Sequence, residues 1–354
     1  MYVVLVGPSG KCRKGTAMTP GFNMLSDLKI PLAAEATTRE ALIQELEKSN
    51  DTIVDPLSGT MDMHSSLTIY SQELTVFLGY HNLQLMSDLT DWYDCRPIWT
   101  YRTKHQGTDQ IIGVWVNLFG ATTPDLIQAV MPRSAIGGGL TSRIIFVYED
   151  KKGKLVADPF LTKDEMGLRD DLMHDLERIS IMSGQFKVTS KFIEKWIPLY
   201  TNMEKSRSFN DPRFDGYFER RANHLLKLSI ILCASRSDRM IIEDRDLKRA
   251  DAILTRTERK MKWTFSGVGK SDTAEVMSRI MSIVAMKGEV LSSEVYSLVH
   301  YDVDDRGFAG ILKALERMKW CRVIPIGGKH DSLLRYEKGE ADGKDDGDIG
   351  LSDK

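Results

Sequence analysis

Residues 2–6 (YVVLV) form a short, wholly apolar run rich in β-branched side chains, the pattern of a buried parallel strand. Runs at 66–70, 111–119 and 144–148 have similar character, so four strands are predicted, separated by helical or irregular crossovers. Residues 38–48 have the helical period, with Ala41, Leu42 and Leu46 on one face and Thr38 placed to cap the start. Residues 73–89 continue the second strand as mostly helix. Residues 16–28 are expected to be helical only in part, because Pro20 and Gly21 interrupt them. Strands alternating with crossovers predict an α/β layer with a mainly parallel sheet over residues 1–155.

After about residue 155 helical periodicity dominates. Phe192 and Trp196 share a face, and 225–234 is nearly all apolar, as in a buried helix. Residues 156–268 are therefore predicted to be a helical region completing the first domain. A further unit, 271–336, follows the break at Gly267 and Gly269. Val276, Ile280, Ile283 and Val284 mark one helix, Val295, Leu298 and Val299 a second. Phe308, Ile311, Leu312 and Leu315 mark a third. Residues 321–326 and 333–336 flank Gly327 and Gly328 as a hairpin, which completes the outline of a winged helix.

Composition adds modestly to this picture. Hydrophobic residues make up 42% and charged residues 28%, a globular mix. The net charge of −2 hides an acidic end: 337–354 holds seven acidic residues and three lysines, and is expected to be a disordered tail. Cys12, Cys95, Cys233 and Cys321 lie far apart, without metal-ligand spacing, which favours a reducing compartment. No apolar run approaches the ~20 residues of a membrane span, and the start lacks the charged region and longer apolar core of a secretory signal. A cytoplasmic protein is expected.

The clearest chemistry follows the first strand. Residues 7–16 read GPSGKCRKGT: a glycine turn whose amides can surround phosphates, a lysine for the β/γ oxygens and a hydroxyl for Mg²⁺. Six residues separate Gly7 from Lys14, where the common phosphate loop has five, and Gly15 occupies the usual hydroxyl position with Thr16 one place later. Gly7, Pro8, Ser9, Gly10, Lys11, Arg13, Lys14, Gly15 and Thr16 are the candidate nucleotide contacts. The alternative is a plain glycine turn with a solvated basic cluster.

An ATPase also needs an acid at the end of a neighbouring strand, and Glu73 fills that place, as general base and metal partner. Gln72 stands where an Asp often precedes it, and Asp62 is the nearest upstream acid. Glu73 could equally be a helix-start residue favoured by the macrodipole. Asn117, Thr122 and Thr123 end another strand and are candidate phosphate sensors, although Thr123 before Pro124 also suits an N-cap. The glycine stretch 137–139 leads to Arg143, a candidate arginine finger or a plain surface arginine. Lys14-Gly15-Thr16 also suits a small-molecule kinase.

Together the loop, the Gln72-Glu73 strand end, the FGATTP turn, the GGGLTSR segment and Arg221 ahead of 225–234 resemble a family of P-loop ATPases of phages, plasmids and mobile elements. These are related to RepA-like, primase-associated hexameric helicases, and the match covers about residues 1–260. The resemblance implies a RecA-like core, a homo-oligomeric ring, ATP with Mg²⁺, translocation on single-stranded DNA and a primase domain or partner. The chain departs from the family in lacking the strand-end Asp and in its loop spacing. These departures motivate an alternative: a nucleotide-binding replication initiator or DNA-binding switch with little turnover. Arg306, Lys313, Arg317 and Lys319 on the last predicted helix, with Arg322, Lys329 and His330 on the hairpin, suit a DNA backbone, although winged helices also dock proteins. Trp92, Tyr93, Arg96, Trp99, Tyr101, Arg102 and Lys104 suit single-strand stacking or a buried aromatic core.

Overall fold

The computed structural model describes residues 1–54, 59–80, 82–103, 107–131, 135–157, 160–265, 272–326 and 331–337. The chain divides into two units, Met1–Val268 and Gly269–Lys354. The first begins β1 (Tyr2–Val6), α1 (Lys14–Asp27), α2 (Arg39–Lys48), β2 (Asn50–Val54) and β3 (Met61–Ser71). It continues α3 (Leu74–Leu78), α4 (Leu83–Trp92), β4 (Ile98–Thr103), β5 (Gly107–Ile112), β6 (Val114–Thr122), α5 (Pro124–Val130) and β7 (Ile144–Tyr148). Helices α6 (Lys163–Ser180), α7 (Ser190–Asn202), α8 (Asp215–Ala234) and α9 (Asp244–Met261) follow, with the two-residue strands β8 (Lys187–Val188) and β9 (Ile241–Ile242) among them.

The main sheet has the order β2-β3-β6-β1-β7, with β2 antiparallel and the other four strands parallel. The fold is thus α/β on a mixed, mostly parallel sheet. Tyr2, Val4 and Val6 project to one face of β1 and are all but inaccessible, at the centre of the main core. On the other face α1 lays Met18 and Phe22 against Tyr70, Phe119 and Ala121. Register sets which residues meet at the carboxyl edge: Val6 lies beside Thr122 and Tyr148, and Ser71 beside Gly120.

Several elements differ from expectation. Helix α1 runs unbroken through Pro20. Pro20 and Thr16, whose carbonyl loses its i+4 partner, both lie on the exposed side, where water can take the bond. β2 is an exposed edge strand whose two apolar residues, Ile53 and Val54, are adjacent, so alternation could not reveal it. The single run 111–119 divides at Gly113, with φ of 58° and no room for a Cβ, between the β4–β5 hairpin and β6. Helix α8 is not wholly buried: Leu225, Ser229 and Cys233 face inward, whereas Ile230 and Ile231 are exposed. Trp92 and Tyr93 are core residues, Trp99 stacks on Tyr101, and Arg96 pairs with Asp91. Lys104 lies outside the described residues.

The second unit contains α10 (Asp272–Lys287), β10 (Glu289–Leu291), α11 (Ser292–Val299), α12 (Asp305–Arg317), β11 (Cys321–Pro325) and β12 (Ser332–Tyr336). Its antiparallel sheet has the order β10-β12-β11. Phe308, Ile311, Leu312 and Leu315 on α12 join Val276, Ile280 and Val295 in a separate core. Asp331 accepts hydrogen bonds from the Ser292 and Ser293 hydroxyls and from the Ser293 amide, and these bonds hold its carboxyl well below the usual range. Glu337 belongs to this unit rather than to a tail, because its amide bonds the Trp320 carbonyl and its carboxylate pairs with Arg322. Residues 338–354 lie outside the described residues.

Candidate nucleotide site

The loop after β1 is shaped by tight sterics. A Cβ on Gly7 would lie 2.4 Å from the Glu149 carbonyl and 2.8 Å from the Cys12 sulfur, so only glycine fits. Behind it the Cys12 thiol donates to that same carbonyl at 3.0 Å. Burial raises the pKa of this thiol, which keeps it in the donor form. The chain then turns through Gly10 (φ 70°) and Arg13 (φ 48°), both left-handed, into α1. The Gly7 amide donates to Thr122 and that of Lys11 to Pro8, whereas the amides of Ser9, Gly10, Cys12 and Arg13 have no protein acceptor among the described residues. Unpaired amides running into a helix start favour an anion. The Lys14 Nζ rests on the Gly7 carbonyl at 2.7 Å, a bond it can exchange for a phosphate oxygen.

Parallel strands deliver the other candidates to the same edge. Gln72 and Glu73 follow β3, and Thr122 and Thr123 end β6. Gln72 comes nearest to the loop: a Cβ on Gly15 would lie 3.0 Å from its Oε1, while its Nε2 donates to the Tyr70 hydroxyl at 3.3 Å. Glu73 caps the start of α3 in position, its carbonyl accepting from Val76 and its Oε1 from the Thr75 hydroxyl at 3.3 Å. The Thr123 hydroxyl accepts from the Leu126 amide at 3.3 Å, so its helix-capping role is realised. A cavity of about 730 Å³ between α1 and α6 opens beside the loop, with Gly15, Thr16 and Gln72 at one end and Leu168 and Leu172 along its wall.

Three residues lie elsewhere. Asn117 is five positions back from Thr122 along β6, roughly 16 Å at ~3.3 Å per residue, too far to sense a phosphate on the loop. Asp62 lies nine positions before Ser71, roughly 30 Å away on the same arithmetic. Arg143 precedes β7 at the opposite end of the sheet, and its side chain turns inward at 7% exposure. It donates to Asp94 at 2.8 Å and to the Gly139 carbonyl at 3.0 Å, with its guanidinium 5.8 Å from the centre of the Tyr93 ring. A finger must present its guanidinium to another site, which this inward placement does not do. Neither Asp94 nor its pairing had a sequence signal, because the residues lie on separate elements.

Mg²⁺ was expected on Thr16 and Glu73. Such an ion takes near-octahedral oxygens, usually one or two carboxylates plus phosphates and water. Here Thr16, the neutral Gln72 amide and Glu165, itself held by Thr162, line a common space, whereas the Glu73 carboxylate engages Thr75 and lines no part of it. Among the described residues no cluster of three His, Cys, Asp or Glu could hold a metal ion. The expected Thr16–Glu73 pair therefore does not converge on one ion position.

Arg221 anchors a buried network rather than a ligand site. Its Nε donates to Glu258 at 2.6 Å, and Glu258 also accepts from Tyr217 and Ser208. Among the described residues no helix is long and apolar enough to cross a membrane. The chain matches no protein-family model, and a comparison with curated proteins finds no significant match.

Proposed function

We propose that the chain is a P-loop ATPase with a RecA-like core, acting as a DNA helicase or translocase in replication. The observation that carries this reading is the strand order. β6 separates the loop strand β1 from β3, so the Gly7 loop and the Gln72-Glu73 strand end share one carboxyl edge across an intervening strand. In this reading Lys14 exchanges the Gly7 carbonyl for β/γ-phosphate oxygens, and the loop amides cradle the chain of phosphates. Glu73 orients the attacking water after releasing Thr75.

The second unit supports the DNA half of the proposal. Its order α10-β10-α11-α12-β11-β12 follows the winged-helix outline. Arg306, Lys313 and Arg317 are exposed on α12 and have no ion pair among the described residues. At 100° and 1.5 Å per residue they form a stripe within about 40° of arc and ~16 Å long, suited to a phosphate backbone. Assembly into a ring, with a primase as partner, belongs to the same proposal; Arg143 does not contribute to it.

A second reading is a nucleotide-binding initiator or switch with little turnover. Gln72 in the acid's place and the inward Arg143 both favour it. The deciding experiment is ATP binding and hydrolysis with and without single-stranded DNA, beside the Lys14→Ala protein. The helicase reading expects DNA-stimulated turnover lost in Lys14→Ala, and the switch reading expects binding without turnover. Hydrolysis by Lys14→Ala at the parent rate would remove the phosphate-loop assignment altogether.

A further inference from the structure

The failure of Thr16 and Glu73 to converge on one ion position has a counterpart in the charge of the loop. Gln72 is held, not loose: its amide nitrogen donates to Tyr70, a residue 2% exposed and packed against Phe22 with ring centroids 4.6 Å apart. That bond leaves the amide oxygen toward Gly15, which brings no hydroxyl of its own. A neutral dipole thus occupies the place of a metal-binding carboxylate.

Meanwhile Lys11, Arg13 and Lys14 supply three cations within four residues, and none forms an ion pair among the described residues. Nearby carboxylates are already engaged: Glu149 and Asp150 pair with Lys260, Glu165 on the cavity wall accepts from Thr162, and Glu73 accepts from Thr75. Fixed cations beside unpaired amides neutralise phosphate oxygens directly, through charge-assisted hydrogen bonds.

We propose that the loop holds a nucleoside triphosphate through Lys11, Arg13 and Lys14 and its own amides, so that binding does not require a divalent metal. This rests on the phosphate-loop reading and deepens it. The ligand class is the polyphosphate itself, free of metal.

The test is calorimetric titration of the full chain with ATP, and separately with inorganic tripolyphosphate, each in Mg²⁺ and in EDTA. The dissociation constant of the parent should differ less than about tenfold between the two buffers, the lower edge of what losing a metal's supporting partners costs. A Lys11→Ala/Arg13→Ala protein should lose affinity equally in both. Gln72→Asp puts a carboxylate beside the phosphates, so it should weaken binding in EDTA and recover it in Mg²⁺, opening a gap of about tenfold or more. The inference is overturned if parent binding falls more than about tenfold in EDTA, or if Gln72→Asp is as indifferent to metal as the parent. If neither ligand binds in either buffer, the phosphate-loop reading itself fails.

Discussion

Removing either member of the Arg143–Asp94 pair should destabilise the first unit, for different reasons. The Arg143 side chain is 7% exposed and that of Asp94 44%, so the two residues face different solvents when left alone. In Arg143→Ala, Asp94 can hydrate and still has Arg220 at 3.7 Å. The loss is then the two guanidinium hydrogen bonds, to Asp94 and to the Gly139 carbonyl, which keeps the Ser142 hydroxyl as a donor; each is worth about 1.5–3 kcal/mol. In Asp94→Ala the guanidinium stays buried, with the Gly139 carbonyl and the Tyr93 ring but no carboxylate. Stranding a buried charge costs about 3–5 kcal/mol. Urea unfolding followed by tryptophan fluorescence measures both, since Trp92 is buried two residues from Asp94. The single and double substitutions together form a cycle that isolates the pair. If both proteins were as stable as the parent while Arg143→Ala lost about 10³-fold or more of its hydrolysis rate, the inward placement would be wrong and Arg143 would be a finger after all.

Two further outcomes follow from described contacts. His224 is fully buried between the Tyr93 hydroxyl and the Ser142 carbonyl, and burial, aided by Lys227, pushes its pKa down to about 3. The unfolded imidazole titrates near ~6.5, so the stability gained from the neutral ring is complete above that pH and lost as pH falls toward the folded value, at up to ~1.4 kcal/mol per unit. The stability difference between the parent and His224→Gln should therefore change with pH below ~6.5 and stay flat above it; a difference flat from pH 7 to 4 would refute the assignment. In the second unit, replacing Arg306, Lys313 and Arg317 together by Ala should lower the slope of log K against log salt by roughly two on single strands and nearly three on duplex. An unchanged slope would place the DNA path elsewhere and make this unit a protein-docking module.

Much of the fold was legible because residues 2–6 and 144–148 are apolar on both sides and 66–70 alternates Leu67 and Ile69 with Ser66 and Thr68, patterns that need no tertiary information. What escaped notice was polar or conditional. β2 and the first four residues of β5 are edge or hairpin segments that are largely exposed, so periodicity carries no signal there. Pro20 was a breaker by local rule, but the position on the exposed side of α1 removes the penalty. The glycine turn after β1 was readable because glycines are themselves the signal: Gly7 has no room for a Cβ and Gly10 is left-handed. The direction of Arg143 was not, because a glycine stretch before an arginine is compatible with either an exposed or a buried guanidinium until Asp94 is placed.

The position of β1 also bears on how the protein is made. The loop strand is the first element of the chain, yet both of its sheet neighbours come late, from residues 118–122 and 144–148. Its pairing is therefore among the most non-local in the first unit, and non-local pairing closes slowly. During synthesis the strand emerges before β6 and β7, and Gly7 has no Glu149 carbonyl to pack against until β7 is complete. On the proposed phosphate-loop reading, nucleotide binding should thus appear late in folding, after β7 has docked. A nucleotide present during refolding would then trap the finished unit rather than speed its assembly.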